Sequence, residues 1–303
     1  MKFSQILPVV AIYFIALGGC SNTAPDYSEF YRDPETVKED PSLNDNQIKI
    51  MSFNIRYYNA NDKEDKAWDV RKAAFIPMIA EQRPTVIGVQ EARPPQLKWL
   101  EDNWKDYAYI GKGRRNNNSN TDEFVPIFYR KKAVELIDWG CFWLSETPDV
   151  AASQGWDSTV PRVATWAVFK HLASGKKFFF INTHIDVESK VAPAKSMEVI
   201  ISKMSELNPE NLPMLLTADF NKQIDSNIFD GVKKFMTNVR LSAPVTDSKH
   251  SYTGFGTATP YIVDHIFCTG FKPLKFETID KVYEKITYIS DHYPIVGKLE
   301  YVK

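Results

Sequence analysis

QIKIMSFNIRY (residues 47–57), with DVRKAAFIPMIAEQ (69–82) and TVIGVQEA (85–92) after it, decides the fold class. In the first stretch Ile48, Ile50 and Phe53 stand among other β-formers, which predicts a strand. The second carries its apolar residues at helical spacing. The third is a short apolar run between Pro84 and Pro94, as a buried strand requires. Strand, helix, strand is a βαβ unit, so the domain opens as an α/β protein. VPIFYRK (125–131), VELIDWGCFWL (134–144), ATWAVFKHL (164–172) and KFFFINTHI (177–185) read as further strands. The last two are joined by the turn-like ASGKK, and this middle section is expected to be antiparallel. APAKSMEVIISKMSEL (192–207) reads as an amphipathic helix feeding the buried strand MLLTADF (214–220), and strands near YIVDHIF (261–267) and YPIVGKLEYV (293–302) close the chain.

A chain of 303 residues, 44% hydrophobic and 25% charged, can bury a large core, and disorder is not its default state. No internal linker divides it, so one domain is expected over 47–303. Its 37 basic and 38 acidic side chains give a formal charge of −1. That balance supplies no general attraction to polyanions and disfavours nucleic acid as a partner. Cys141 and Cys268 lie in apolar, strand-like contexts and are expected as small buried hydrophobes, with no disulfide or zinc site between them. No heptad or exposed apolar strip speaks for any oligomeric state.

The N-terminus has one early Lys2, an apolar run from Ile6 to Leu17 and small residues before Cys20. Residues 1–19 are therefore expected as an export signal, too short to span a bilayer comfortably. Leu17, Gly18, Gly19 and Cys20 resemble a bacterial lipobox, in which cleavage before the cysteine leaves its thiol to be diacylated. Residues 20–46, rich in Pro, Asp, Glu and Asn, read as a flexible tether. The expected location is outside the cytoplasm, at the periplasmic face or the cell surface of a bacterium, with the membrane reached through the N-terminal lipid only.

Polar residues recur where the predicted strands end: Asn54, Glu91, Asn182, His184, Asp219 and Asn221. This is the edge from which α/β folds project functional groups. A single Asn or Asp there is an ordinary turn or cap residue. Six together have the composition of a hard-metal phosphate site, with carboxylates, amides and imidazole but no thiolate.

MSFNIR (51–56), GVQEA (88–92), INTHID (181–186), TADFN (217–221), VDHIF (263–267) and SDHYP (290–294), in this order and spacing, resemble the endonuclease/exonuclease/phosphatase superfamily. VPIFYRK, FWLSETPD, GWD and PRVATWAVFK are similar to a bacterial branch common among exported proteins. The resemblance implies a four-layer α/β sandwich, with two mixed β-sheets packed face to face, helices on the outside and the site at one edge. It implies that Glu91 ligates Mg²⁺ or Mn²⁺, with Asn54 and Asp291 beside it or in its water shell. Asp219 and Asn221 would orient or deprotonate the attacking water, and His184 would donate to the phosphoryl oxygens. His292, oriented by Asp264, would sit across the phosphate. Asp264 and His265 are adjacent and point to opposite faces, so only one can face the site; the resemblance aligns the family's aspartate with Asp264, which leaves His265 structural. Arg162, Glu123, Asp186, Trp68 and Arg71 are candidate substrate contacts, whereas His171 and His250 are expected to be exposed. After NTH the chain keeps Asp186 but continues with Val187, Glu188 and Ser189, where that branch carries a further imidazole.

The expected function is thus a metal-dependent phosphoester hydrolase acting on a small organic, sugar or lipid phosphoester. A secreted nuclease and a catalytically inactive, surface-binding lipoprotein are the alternatives. The last is disfavoured because no carboxylate or imidazole that the chemistry needs is missing.

Overall fold

The computed structural model describes residues 40–117 and 119–302. The expected export signal and Cys20 lie outside the described residues, as does most of the expected tether. Residues 40–46 lie against the domain. Asp40 pairs with Lys49, and Asn46 exchanges hydrogen bonds with the Tyr301 backbone at 2.9 and 3.0 Å.

In chain order the strands are β1 (Gln47–Asn54), β2 (Val86–Gln90), β3 (Tyr107–Ile110), β4 (Ile127–Arg130), β5 (Val134–Trp143), β6 (Val163–His171), β7 (Lys177–His184), β8 (Met214–Asp219), β9 (Thr237–Asn238), β10 (Asp264–Thr269), β11 (Phe271–Thr278) and β12 (Ile295–Tyr301). They form two mixed six-stranded sheets, ordered β11-β12-β1-β2-β4-β3 and β5-β6-β7-β8-β10-β9. The helices are α1 (Trp68–Arg71), α2 (Phe75–Gln82), α3 (Pro94–Asn103), α4 (Ala192–Leu207) and α5 (Val239–Ser242).

Side-chain alternation along the strands builds the layers. Ile48 and Ile50 of β1 share the core between the sheets with Phe178 and Phe180 of β7. The intervening Met51 and Phe53 face the other way, onto Phe75 and Met78 of α2 and Leu97 and Leu100 of α3. Phe179 and Ile181 likewise turn outward to Met197, Ile200 and Met204 of α4. The predicted four layers follow: helices, sheet, sheet, helix.

Strands β1 and β2 are parallel, as the βαβ reading requires, and β5, β6 and β7 are antiparallel. The predicted single helix over 69–82 is broken at Lys72–Ala74 into a tighter turn. Pro77 offers no N–H to the carbonyl four residues back, which weakens the helix there. Strand β11 has no counterpart among the expected strands, and it contains Pro273, a residue poorly suited to a strand interior. The structure accommodates it at a sheet edge, with a register shift between Pro273 and Lys275.

The sheets approach closely at Gly88. A Cβ there would overlap the Thr217 hydroxyl and lie 2.5 Å from Asn182 Oδ1. Asn182 itself spans the sheets, donating to the carbonyls of Val89 (2.7 Å) and Pro126 (3.0 Å) and accepting from Gln90 Nε2 (2.7 Å). Gly88→Ala is accordingly expected to destabilise the domain by about 1–3 kcal/mol, the usual effect of overpacking a close-packed core. Chemical denaturation reads it directly, and an unchanged midpoint would show that the sheets have room to part.

Candidate active site at one edge of the sandwich

Strand register gathers the polar strand ends. In β1 and β2 Asn54 pairs with Gln90, so Glu91 emerges immediately beyond Asn54. In the other sheet His184 is level with Asp219, and Asp219 with Asp264. Strand β12 meets β1 at Ser52, which carries residues 290–294 to the same edge. Across the gap β1 touches β8 and β10, while β2 touches β7 and β8. The two rows therefore face each other.

Hydrogen bonds tie them into one constellation. Asn54 Nδ2 donates to Glu91 Oε1 (3.1 Å) in its own sheet and to Asp219 Oδ2 (2.9 Å) in the other. Glu91 Oε2 accepts from the Tyr57 N–H (3.0 Å), and Asn54 Oδ1 from the Arg56 N–H (2.9 Å). Glu91 is held at φ 64°, a left-handed conformation that costs a non-glycine residue about 1–3 kcal/mol and that clusters at functional sites. Asn221, at φ 52°, donates from its backbone N–H to Asp219 Oδ1 (2.9 Å). Its side-chain nitrogen lies 3.0 Å from both His184 Nε2 and the Ile185 carbonyl. An amide nitrogen only donates, so His184 Nε2 is an acceptor and Nδ1 is the ring atom left to donate. The expected donor role of His184 is thereby confined to that one atom.

His292 holds Asp264 Oδ2 through Nδ1 at 2.8 Å, and its Nε2 faces Asp219 Oδ2 at 3.6 Å. Asp219, Asp264 and His292 bring one ligand-type atom each within 4.8 Å of the others, a buried group that could hold a metal ion. The single Ser290 hydroxyl proton is shared between the Asn54 carbonyl (2.8 Å) and Asp291 Oδ1 (3.1 Å), and Arg56 Nη1 lies 3.5 Å from Asp291 Oδ2.

These burials set the charges. Burial is the largest influence on Asp219, raising its carboxyl to about 7 with help from Asp264, while His292 and the Asn54 and Asn221 donors oppose it. Burial works against the charged form of His292, but Asp264 and Asp219 outweigh it and hold the ring protonated well above the usual range. His184 goes the other way: burial, then Arg162, Arg114 and His292, keep it neutral. Two imidazoles in one site thus carry different charges at neutral pH. Asp291 is raised chiefly by burial and by Glu91, against His292 and Arg56.

Other predicted residues are engaged by protein partners, and of these Glu123 and Arg162 line a small space with Glu91 and His184. The Arg71 guanidinium is fully buried and donates to the carbonyls of Lys66 (2.8 Å), Ile55 (3.1 Å) and Ile289 (2.8 Å). It clamps backbone beneath the site because five donors in a fixed fork suit converging carbonyls. Trp68 packs edge-on to Phe75 and Trp99 in the core. Asp186 is also fully buried; it accepts from the N–H groups of Glu188 (3.0 Å) and Ser189 (2.9 Å) and holds Arg162 Nε at 3.3 Å. Asp186 shapes the turn after β7 and aims Arg162, which lines a small space with Glu91 and His184. Glu123 is taken up by Arg114, at 2.8 and 2.9 Å, and by Arg93 at 3.6 Å. Asn182 belongs to the inter-sheet contact described above.

His265 donates from Nε2 to the Lys222 carbonyl (3.0 Å) and packs on Phe220 and Phe229, the structural position expected of it. His250 is exposed as expected, but His171 is buried, bonded to Ser174 Oγ at 2.9 Å and stacked on Tyr301. Its hairpin folds back over the end of β12, which strand assignment alone does not reveal. Arg56, Arg93 and Arg114 reach the site without having been predicted. The one signal for Arg114 was its place in the polar loop GRRNNNSNTDE.

A model of the endonuclease/exonuclease/phosphatase family matches residues 51–292. Among solved structures, an endonuclease/exonuclease/phosphatase from Bacteroides vulgatus is 31% identical over 84% of this chain and 99% of its own, with a TM-score of 0.79. A mannosyl-6-phosphatase of Bacteroides thetaiotaomicron is also 31% identical, over 84% of this chain and 100% of its own, with a TM-score of 0.76. The human nocturnin catalytic domain shares the fold at 14% identity, with 86% of this chain and 95% of its own covered and a TM-score of 0.67. No curated protein matches the chain at a significant level. With the matched segment running from the middle of β1 to His292 and so enclosing every residue of the edge constellation, the chain belongs to the endonuclease/exonuclease/phosphatase family.

Proposed function

We propose that the protein hydrolyses a small organic phosphoester, a sugar phosphate foremost, with the help of a divalent metal. The observation that carries this reading is the unbroken hydrogen-bond chain across the two sheets, from Glu91 through Asn54 to Asp219, with the Asp264–His292 pair facing Asp219. It sets a base, a fixed cation and free carboxylate oxygens around one point. The sugar-phosphate preference is supported by similarity to the mannosyl-6-phosphatase over that protein's whole length.

Glu91 and Asp291 fit a hard divalent ion: both present carboxylate oxygens with lone pairs beyond their recorded partners, and no thiolate stands among the constellation's residues. They suit it better than the Asp219, Asp264 and His292 group, because Nδ1 of His292 is committed to Asp264 and its protonated ring has no lone pair to offer. Bound there, Mg²⁺ or Mn²⁺ supplies positive charge beside the phosphoryl oxygens. Asp219, held by Asn54 and by the Asn221 N–H and raised to about 7, takes the proton of the attacking water near neutral pH. His292, charged and fixed by Asp264, donates to the oxygens as negative charge grows on them, and Arg162 and Arg114 add positive field behind His184. The reading keeps Cys20 as the lipid attachment of an exported protein, supported by the sequence before it.

The test is turnover of p-nitrophenyl phosphate, bis(p-nitrophenyl) phosphate, hexose 6-phosphates and single-stranded DNA, each with EDTA, Mg²⁺ or Mn²⁺. Metal-dependent release of phosphate, fastest from a hexose phosphate and abolished by EDTA, is the expected result. Turnover that EDTA leaves intact overturns the metal, and a preference for DNA overturns the substrate class.

A further inference from the structure

We infer that the substrate's alcohol lies in the cleft between residues 56–66 and 252–257, and that this cleft is built for a polyhydroxylated, sugar-sized group. The inference rests on the hydrolase reading above and adds where and how the substrate is recognised.

The two ends of the constellation differ in room. Where β2 faces β7, the space bounded by Glu91, His184, Arg114, Arg162 and Phe124 is about 10 Å³, too small for more than phosphoryl oxygens or a water. Beyond the C-terminal end of β1, between residues 56–66 and 252–257, a cleft of about 580 Å³ opens directly from Asp291. A substrate whose phosphorus sits between Glu91 and His292 has its terminal oxygens at the closed end and its alcohol at the open one. One open end suits a monoester; a diester needs room on both sides.

The wall of the open end has sugar-binding chemistry. Tyr252 lies against His292, ring centroids 4.9 Å apart, so a group stacked on Tyr252 sits beside the phosphoryl site. Asn61, Asp62 and Thr257 supply amide, carboxylate and hydroxyl partners for hydroxyl groups. Asp62 is held by Arg56, at 3.2 and 3.4 Å, and Arg56 in turn reaches Asp291 at 3.5 Å. A ligand hydroxyl on Asp62 is thereby joined through one guanidinium to the catalytic edge. The lining charges of residues 62–66 are mixed in sign, with Asp62, Glu64 and Asp65 against Lys63 and Lys66, and form no basic strip for a nucleic-acid backbone. Nor do the described residues lining the cleft form an apolar strip for acyl chains.

The cleft is also held in shape. The N–H groups of Thr253 and Gly254 donate to the Asp291 carbonyl (2.8 and 3.1 Å). Phe255, itself at φ 58°, lies 5.5 Å from the Arg71 guanidinium and 5.9 Å from the Lys66 ammonium, tying one wall to the other. Such preorganisation lowers the ordering cost of binding a flexible, polar ligand.

Two measurements on the full chain test the proposal. In EDTA, saturation-transfer NMR with glucose 6-phosphate and mannose 6-phosphate is expected to mark the hexose ring protons, and to lose that signal in Tyr252→Leu and Asp62→Asn. With metal, the ratio of kcat/KM for the hexose 6-phosphate to that for p-nitrophenyl phosphate is expected to fall about tenfold in Asn61→Ala and Asp62→Asn, the worth of one lost hydrogen bond to a hydroxyl. Absence of ring-proton transfer in the parent protein, or an unchanged ratio in both variants, overturns the cleft assignment. Loss of all turnover in the parent protein sinks the hydrolase reading instead, and the NMR result still decides the cleft.

Discussion

Glu91→Gln is expected to lower kcat/KM for the best phosphoester by on the order of a hundredfold to a thousandfold while leaving the fold intact. The change keeps side-chain length and the left-handed backbone at φ 64°, but it removes a negative charge from the one carboxylate that accepts from both Asn54 (3.1 Å) and the Tyr57 N–H (3.0 Å). A glutamine amide nitrogen must then face one of two donors, so the side chain also loses its fixed orientation. Weaker metal binding follows, about ten- to a hundredfold, and should show in a metal titration of activity. Glu123 provides an internal check: Glu91, after burial, is the main cause of its raised pKa, so neutralising Glu91 should ease Glu123 toward its ordinary range. Near-parental activity at saturating metal in a normally folded variant would place the ion elsewhere, with Asp219, Asp264 and His292 the next candidates.

His292 should be as sensitive, and its partner adds a pH signature. His292→Ala removes a buried cation aimed at Asp219 and is expected to cost about a thousandfold in kcat. Asp264→Asn leaves the imidazole in place but takes away the charge that most raises its pKa. The sign follows from that: a ring whose folded value is raised stays charged through neutrality and loses its proton as pH rises through that value. Activity that needs the charged ring therefore falls on the alkaline side. Without the Asp264 charge the ring gives up its proton earlier, and the alkaline limb of the kcat profile moves to lower pH. An Asp264→Asn enzyme with an unmoved alkaline limb would show that His292 does not work as a cation. His184, already neutral, should contribute no limb between pH 7 and 9.

Much of the edge could be read from one dimension because strands make it so. Asn54, Glu91, His184 and Asp219 stand at the ends of apolar runs, and parallel pairing of β1 with β2 and of β7 with β8 brings such ends level. The same alternation separated Asp264, facing His292, from His265, facing Phe220 and Phe229. Asp291 and His292 were recognised from SDHYP, and residues 290–294 do come to the edge, just before β12 begins at Ile295.

What remained hidden were charged side chains whose partners are other groups of the protein, near or far along the chain. Arg71 and Asp186 were expected as substrate contacts. In the folded chain Arg71 meets the Ile289 carbonyl, 218 residues away, and Asp186 meets its own turn and Arg162. Asn182 resembled its neighbour His184 in sequence, yet they differ by two positions and by environment: one is sealed between the sheets, the other stands at their rim.

Local periodicity thus determined the strands, the opening βαβ unit and the polar strand ends Asn54, Glu91, His184 and Asp219, because these depend on side-chain alternation over a few residues, while the four layers and the parts of Asp264, Asp291 and His292 followed from the resemblance of the ordered motifs to the family. Tertiary structure alone decided which charges are spent inside the protein, which proton His184 has to give, and that the site opens toward Tyr252 and Asp62 but closes toward Arg162. Those outcomes depend on how segments separated in the sequence meet, and burial sets a polar group's charge and role only after they have met.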